Sequence, residues 1–496
     1  MSYHLLTYSL LFLPAVMLMY QLTPQKIRWV TLLVTDYIFF WLISGGLIIW
    51  MLAATLVTYV VGRVIAYVAE NSTAKGKELV RKKRVILGCG VILTLGMLVV
   101  FKYLKVFGIT FIAPIGISYY TLQTISYMTD VYRGTVKAEK HIGRLALYLS
   151  FFPQIMEGPI SRFNETAYAL FSGKELSFHN VAFGYQRILW GLFKKMLIAD
   201  RLAPAVIKVF SGYENYDGSA VAVGVIFYTI QLYMEFSGCM DIIIGTGEIF
   251  GVVLPENFRQ PFFAKNASDF WRRWHITLGT WLKDYVFYPV SLAKPVKKVA
   301  KSVKGKFGIG VSKFVAPTAA LFCVWLSNGV WHGAGWTYIF YGMYYFVLIF
   351  IETITEAPVK KFMEQKNINS EGNVCKALRA VKLFVIVNIG ELFFRATSVT
   401  QGFEMLGRIL GKFHISALFE SNLGMDVYDV VLACLGIIIV LLVDILHEKG
   451  VSIRERIASL RLPLRWGVWY AIILSVIILG AYGAGYTVVD MIYAAY

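Results

Sequence analysis

A stretch of 37 residues from Phe314 to Phe350 contains no Asp, Glu, Lys or Arg, and its central residue is a histidine, His332. An ionisable side chain at membrane depth is costly, and such residues usually mark functional sites. Gly333 and Gly335 follow the histidine and would interrupt a helix, leaving backbone groups that only protein or water can satisfy. The stretch therefore predicts a polar pocket inside a membrane-embedded protein.

The depth of His332 in the membrane is not fixed by the length of this stretch, which has 18 residues on each side of the histidine. Two full helices that meet after His332 place it near a membrane face. One broken helix in a locally thinned membrane places it near mid-depth. Both arrangements stay open.

Composition extends the membrane prediction to the whole chain. Of 496 residues, 57% are hydrophobic and 16% are charged, against about 25% charged in a typical soluble protein. The apolar N-terminal run lacks the basic flank and cleavage site of a secretory signal peptide. We predict an all-α polytopic integral membrane protein with about 11–13 transmembrane helices plus re-entrant or interfacial helices, as one domain over residues 1–496. The predicted spans are 5–20, 29–60 (one or two helices), 85–106, 111–131, 143–156, 182–210, 219–237, 314–331, 336–354, 380–396, 428–446 and 466–486.

The formal net charge of +18 is compatible with nucleic-acid binding, but the distribution of the basic residues argues against it. They gather in two segments between apolar spans, 75–84 and 294–313, which we expect to be loops; the second contains no acid. The positive-inside rule places both loops in the cytoplasm. We expect no nucleic acid as a partner; contact with membrane lipid headgroups and contact with an acidic cytosolic donor are the two alternatives. The longest polar stretch, 357–379, is also expected to be a loop.

Several kinds of site are disfavoured by the motifs that the chain lacks. Its five cysteines are scattered without a CxxC, so neither a disulfide framework nor a cysteine metal site is expected. No HExxH zinc motif, phosphate-binding P-loop or GxSxG nucleophile motif occurs, and no histidine begins an HxxxxD pattern. We expect no metal site, and a covalent serine or cysteine intermediate is disfavoured.

Two segments do not read as simple spans. Residues 151–163, FFPQIMEGPISRF, contain two prolines and a glycine that forbid a continuous helix. This segment is either a turn at the membrane surface or a loop that lines a cavity.

In the second segment, residues 257–288, a helix is predicted to start at Phe270 after a cap at Ser268 or Asp269. Its aromatic face, flanked by arginines, suits the membrane interface, and the alternative is a functional site. The residues on and beside that face are Trp271, Arg272, Arg273, Trp274, His275, Leu278 and Leu282.

Two of the seven histidines are candidates for proton transfer. His275 lies in the aromatic and basic segment and His332 in the uncharged stretch. A neutral imidazole takes and returns a proton near pH 7, and burial favours its neutral form. Candidates for a group that orients His332 are Asn328, Asp269, Asp284 and Glu157, and the sequence does not choose among them. The remaining histidines are predicted surface residues: His4, His141, His179, His414 and His447.

Six segments within residues 110–400 resemble one known family in sequence and order. They are FFPQIMEGPISRF (151–163), MEFSGCMDIIIGTGEIFG (234–251), PENF (255–258), DFWRRWHITLGTWLKDYVFYPV (269–290), WHGAGWTYIFYG (331–342) and ELFFRA (391–396). This series resembles the membrane-bound O-acyltransferase family, and within it the bacterial polysaccharide O-acetyltransferase branch. That branch includes alginate O-acetyltransferase subunits and teichoic-acid D-alanyl transfer proteins.

The resemblance implies a helical funnel in a bacterial plasma membrane. It makes His332 the essential histidine and gives His275 a supporting or donor-side role. The acyl group, most often acetyl, would arrive from the cytosol on a thioester of coenzyme A or of a phosphopantetheine carrier, with no tightly bound cofactor. The acceptor would be a hydroxyl of a cell-envelope polysaccharide, reached directly or through an extracytoplasmic SGNH-type acetyltransferase partner. D-alanyl transfer to teichoic acid is the alternative within the family, and a proton-coupled transporter is the alternative outside it.

Acyl transfer to a hydroxyl needs a base and donors that stabilise the developing oxyanion. His332 is the candidate base, and Asn328, the Trp336 N–H or backbone amides near Gly333 are candidate donors. Arg272 and Arg273, together with the lysine-rich segments, would steer the phosphate groups of the donor. Asp269 and Trp274 complete the predicted substrate-binding set.

The chain departs from the family pattern at two places. The lysine-rich residues 291–308 stand where alginate-type relatives have a Gly-Gly-Asn-Arg stretch, which argues against alginate as the acceptor. Met156 and Glu157 occupy positions where small residues are more usual.

Overall fold

The protein is helical throughout the part of the chain that the computed structural model describes, which comprises Tyr3, Leu5 and residues 7–109 and 112–482. In this part no strand forms, apart from one isolated antiparallel bridge between Phe258 and Trp274. The predicted all-α fold class is confirmed. His4 and the outer ends of the predicted spans 111–131 and 466–486 lie outside the described residues.

The described residues form two compact units. The first contains the chain up to Leu192 together with Gly238–Glu256, and the second contains Phe193–Ser237 and the chain from Asn257 onward. The prediction of a single domain over residues 1–496 stays a prediction. The helices that begin before residue 193 are α1 Leu13–Leu22, α2 Arg28–Ser44, α3 Ile48–Asn71, α4 Gly76–Tyr103, α5 Ile117–Arg133, α6 Ile142–Ser150, α7 Phe163–Ser172 and α8 Phe178–Leu192.

The later helices include the long α10, whose residues are divided between the two units at Ser237. They are α9 Asp200–Ser211, α10 Gly218–Ile249, α11 Ala267–Trp271, α12 Ile276–Leu282, α13 Tyr288–Ser291, α14 Lys294–His332, α15 Trp336–Gln365, α16 Asn373–Arg395, α17 Val399–Gly411, α18 Ile415–Glu420, α19 Val427–Glu448, α20 Ile453–Ala458 and α21 Leu462–Leu479.

Seven helical segments of the described chain are long and apolar enough to cross a membrane. They are Gln25–Asn71, Gly76–Tyr103, Gly218–Ile249, Lys294–His332, Trp336–Gln365, Val427–Glu448 and Leu462–Leu479. The number is lower than predicted because some predicted spans fall on short or interrupted helices. The span 143–156 coincides with α6, which has 9 residues, and 182–210 is interrupted by a π-helical turn at Phe193–Ala199.

The FFPQIMEGPISRF segment is buried in the first unit and is not a turn at the surface. Residues 151–161 are all buried and form no helix. The Asp36 carboxylate accepts hydrogen bonds from the Phe152 N–H at 2.8 Å and from the Ser150 hydroxyl at 3.2 Å. Gly116, whose φ is 79°, lies so close that a Cβ there would meet the Ile155 carbonyl oxygen at 1.9 Å. Side-chain hydrogen bonds and close packing thus replace the helix that the prolines forbid.

The lysine-rich segment is helical, so the prediction of a loop over 294–313 is wrong. Helix α14 begins at Lys294 and turns sharply at Gly308, whose φ of 78° is left-handed. The Ser312 hydroxyl donates to the Ala300 carbonyl at 2.7 Å, so the chain folds back on itself at this turn. The predicted loop at 357–379 is also mostly helical, because α15 continues to Gln365 and α16 begins at Asn373.

Candidate active site

The end of α14 packs closely against α15 in the second unit, and glycines make the approach possible. A Cβ on Gly329 would lie 2.5 Å from the Tyr338 carbonyl oxygen, and one on Gly342 would lie 2.4 Å from the Trp325 carbonyl oxygen. A Cβ on Gly333 would lie 2.4 Å from the Tyr338 ring. Gly329, Gly333 and Gly342 therefore let the two helices meet next to the histidine.

His332 is the last residue of α14 and is 3% exposed. Its ring is surrounded by aromatic side chains, which hold it in an apolar shell. The centroid of the imidazole lies 4.9 Å from that of Trp331, 5.0 Å from Phe394, 6.1 Å from Tyr341 and 6.5 Å from Tyr338. The Phe394 and Tyr341 rings stand nearly perpendicular to the imidazole, at 89° and 88°.

A buried carboxyl group lies next to this aromatic shell. The Tyr341 hydroxyl donates to Glu391 Oε1 at 3.2 Å, and Glu391, on α16, is 1% exposed. The sequence analysis did not single out this residue. An acid within the otherwise uncharged run VIVNIGELFF was the available signal, because an ionisable residue in a predicted span is a functional-site candidate.

His275 lies in a left-handed conformation, with φ 47° and ψ 49°, between α11 and α12. The prediction of one helix starting at Phe270 is therefore wrong: α11 ends at Trp271 and α12 begins at Ile276. The cap of α11 is Asn266, whose side chain accepts from the Asp269 N–H at 2.8 Å, rather than Ser268 or Asp269.

The PENF segment fixes His275 by pairing with the chain around it. The Arg259 N–H donates to the Arg273 carbonyl at 2.9 Å, and the Ile276 N–H donates to the Asn257 carbonyl at 3.0 Å. Asn257 Oδ1 lies 3.3 Å from His275 Nδ1 and accepts from the Thr277 hydroxyl at 2.9 Å. Burial lowers the pKa of His275 to about 3, so the ring is neutral at physiological pH.

Trp331 connects the two candidate histidines. Its ring centroid lies 5.9 Å from that of His275 and 4.9 Å from that of His332. Two histidines that are 57 positions apart in the sequence are thus brought to one tryptophan.

Asn328 lies one turn before His332 and is buried. Trp325, Asn328 and His332 share one face of α14, and Trp325 and His332 contact Tyr345 and Tyr341 of α15. Asn328 Oδ1 has no hydrogen-bond partner among the described residues. A buried amide oxygen without a partner is costly, which suits a site that a substrate or water fills.

The other predicted substrate-binding residues lie in varied surroundings. Trp274 is buried against Phe258 and Phe270, with ring centroids 5.0 and 5.4 Å away, rather than at an interface. Arg273 is held by Glu448 at 2.8 Å and by Asp269 at 3.4 Å. Their roles in substrate binding stay predictions.

Two further candidates are exposed. Arg272 is 67% exposed at its side chain and lies 3.5 Å from Asp269. Trp336, the first residue of α15, is 77% exposed.

Glu157 belongs to the first unit, where its carboxylate accepts from the Cys239 thiol at 3.2 Å. Within the described chain, no three His, Cys, Asp or Glu side chains come close enough together to hold a metal ion.

Comparison with known proteins decides the family. The profile described as MBOAT, membrane-bound O-acyltransferase family, matches residues 141–389, which include both candidate histidines, Asn328 and the PENF segment. The chain belongs to this family. It is a multi-pass membrane O-acyltransferase.

Relatives of this O-acyltransferase carry three kinds of name. It is 31% identical over 445 residues to the probable alginate O-acetylase AlgI of Pseudomonas aeruginosa, covering 86% of this chain and 78% of the relative. It is 30% identical over 380 residues to the peptidoglycan O-acetyltransferase of Helicobacter pylori, covering 68% and 67%. It is 30% identical over 264 residues to the teichoic acid D-alanyltransferase of Bacillus subtilis, covering 51% and 62%.

Proposed function

We propose that this O-acyltransferase moves an acetyl group from a cytosolic thioester toward a hydroxyl of a cell-envelope polysaccharide, in the plasma membrane of a bacterium, with His332 as general base. The observation that carries this proposal is the meeting of two buried histidines at Trp331 in the family-matched region. A neutral imidazole is able to accept a proton from a hydroxyl.

The proposed step balances without a covalent enzyme intermediate. His332 takes the proton from the acceptor hydroxyl while the hydroxyl oxygen attacks the carbonyl carbon of the thioester. The C–S bond breaks, the ester C–O bond forms, and the imidazolium returns the proton to the leaving thiolate. The oxygen that gains charge needs hydrogen-bond donors, and the Asn328 side-chain amide, on the same face of α14, is the candidate.

In our proposal, His275 supports this step through its contact with Trp331. Its neutral ring contacts Trp331, and Asn257 holds its Nδ1 side. His275 is thereby suited to fix the position of Trp331, and through it of His332. We assign it a supporting role rather than that of the base.

Coverage of the relatives favours acetyl over D-alanyl as the acyl group. The relative named as an alginate O-acetylase is matched over 86% of this chain, whereas the relative named as a D-alanyltransferase is matched over 51%. The relatives' names refer to three acceptors, alginate, peptidoglycan and teichoic acid, and we propose a glycan hydroxyl as what they share. It would be reached directly or through an extracytoplasmic SGNH-type acetyltransferase.

Exposed cations suit the approach of a phosphate-bearing donor. Lys297 and Lys301 are exposed one turn apart on α14, and no acid occurs in residues 294–313. Arg272 is exposed as well. Coenzyme A and phosphopantetheine both carry phosphate groups, which lysine and arginine attract. We propose that these residues steer the donor, with coenzyme A as the first candidate.

The test uses the full-length protein, purified in detergent and supplied with acetyl-labelled acetyl coenzyme A and acceptor glycan. We expect His332→Ala to insert and to melt like the wild type but to transfer no label. His179→Ala is the matched control, because that histidine lies on α8 of the first unit, and it should transfer label normally. Unchanged transfer by His332→Ala would overturn the assignment of the base.

A further inference from the structure

Glu391 is an acid whose burial is not explained by an ion pair. It is 1% exposed, and the Tyr341 hydroxyl at 3.2 Å is its one hydrogen-bond donor among the described side chains. Its other oxygen, Oε2, has no partner among them. A buried, partly unsatisfied carboxyl group destabilises a fold, and an acid in a membrane protein's interior is by default functional.

The carboxyl group connects to His332 through two side chains. Tyr341, which it binds, stands at 88° to the imidazole ring with its centroid 6.1 Å away. Phe394, three residues later on α16, stands at 89° with its centroid 5.0 Å away. Tyr341 and Phe394 also contact each other, at 5.0 Å. Together the two rings fix the plane of the imidazole, and Glu391 fixes one of these rings.

We propose that Glu391 is a positioning residue for acyl transfer: by accepting the Tyr341 hydroxyl, it holds the Tyr341 ring against His332 and so aims the imidazole. This inference rests on the proposed role of His332. The role depends on the hydrogen bond from Tyr341 and not on a charge at Glu391. An amide oxygen at position 391 should therefore accept the same hydrogen bond and position the ring equally well. A displacement of about 1 Å in a reacting group costs up to about 100-fold in rate.

The test measures kcat and the KM for acetyl coenzyme A in four variants of the full-length protein. Tyr341→Phe and Glu391→Leu should each lower kcat by about tenfold or more while the donor KM stays unchanged. Glu391→Gln should stay within about threefold of wild type, because its amide oxygen accepts the same hydrogen bond. The double variant Tyr341→Phe/Glu391→Leu should be no worse than the single ones, because both remove one interaction.

Tyr344→Phe is the matched control. Tyr344 also ties α15 to α16, since its hydroxyl donates to the Ile386 carbonyl at 2.9 Å. Loss of that bond should leave kcat within about twofold, which separates positioning of His332 from general support of the helix pair. If Glu391→Leu fails to insert, the comparison of Tyr341→Phe with Tyr344→Phe decides.

Three results would overturn the inference: wild-type kcat in Tyr341→Phe, an equal loss in Tyr344→Phe, or a Glu391→Gln enzyme as slow as Tyr341→Phe. The variant His332→Ala separates this failure from that of the proposed function. An inactive His332→Ala with a fully active Tyr341→Phe removes only the positioning role, whereas an active His332→Ala removes the base itself.

Discussion

The ring centroids of His275 and Trp331 lie 5.9 Å apart, although 56 positions separate the two residues in the sequence. This contact joins the left-handed turn between α11 and α12 to the end of α14. It makes the tryptophan before the candidate base a structural neighbour of both histidines.

Trp331 should therefore be needed for acyl transfer. We expect Trp331→Ala to lower kcat by about tenfold or more, because the cavity lets both imidazoles move. Trp331→Phe should retain most of the activity, because an aromatic ring remains. Labelled acetyl transfer measures both, and Trp466→Ala, a half-exposed tryptophan on α21, serves as control. Full activity in Trp331→Ala would contradict this role.

The buried, neutral His275 should make stability depend on pH. Burial lowers its pKa to about 3 in the folded protein, whereas the unfolded chain has the ordinary value of about 6.5. Between these values only the unfolded chain binds the proton, so the free energy of unfolding falls as pH falls from about 6.5 toward 3. This contribution is absent above about pH 6.5.

The measurement is the melting temperature in detergent at pH 7.5 and 5.5. We expect His275→Gln to show a smaller decrease on acidification than the wild type, because glutamine does not titrate in this range. His179→Gln should behave like the wild type. An identical decrease in His275→Gln and wild type would show that His275 does not carry this pH dependence.

Gly333 should tolerate no side chain. A Cβ there would lie 2.4 Å from a Tyr338 ring carbon, and overpacking of this kind costs about 1–3 kcal/mol. Its φ of 178° is ordinary extended backbone, so the expected cost of Gly333→Ala is steric alone. We expect this variant to melt lower and to lose acyl transfer, since Tyr338 neighbours His332.

Gly335→Ala is the control for this steric effect. The nearest atom to its Cβ would be Thr337 Oγ1 at 3.4 Å, an ordinary contact. Melting temperature and labelled transfer should both stay close to wild type. Equal damage from the two substitutions would indicate that the break between α14 and α15 matters for its backbone and not for its space.

The basic start of α14 should affect binding of the donor more than the chemistry. Reversing two charges in Lys297→Glu/Lys301→Glu should raise the KM for acetyl coenzyme A several-fold at low salt, with kcat unchanged. The effect should shrink as the salt concentration rises. Lys360→Glu/Lys361→Glu, an equal reversal at exposed lysines of α15, should leave the KM unchanged.

An unchanged donor KM in Lys297→Glu/Lys301→Glu, together with weaker binding to vesicles of anionic lipid, would assign these lysines to the membrane surface instead. That outcome would restore the alternative that the sequence left open.

The sequence alone determined the membrane class, the helical fold and the family, and it singled out His332, His275 and Asn328. Hydropathy adds up along the chain and the motifs are contiguous, so neither needs long-range contacts to be recognised. The same local reasoning failed where tertiary contacts override propensity. His275 interrupts the predicted helix by adopting a left-handed conformation just before α12, next to Asn257. The FFPQIMEGPISRF segment forms no helix, as predicted, but its burial, with the Asp36 carboxylate accepting from the Phe152 N–H, could not be read from the sequence, which left a surface turn and a loop lining a cavity open.

Only the tertiary structure placed Glu391 beside Tyr341 and brought the two histidines to Trp331. These residues come from separate parts of the chain: Glu391 lies on α16, Tyr341 on α15, and Trp331 on α14. His275 lies between α11 and α12. Periodicity gives the face on which a side chain lies but not which face of another helix it meets. Which side chains contact each other is decided by packing in three dimensions. The sequence therefore predicted the candidate base, His332, but not the residues that surround it.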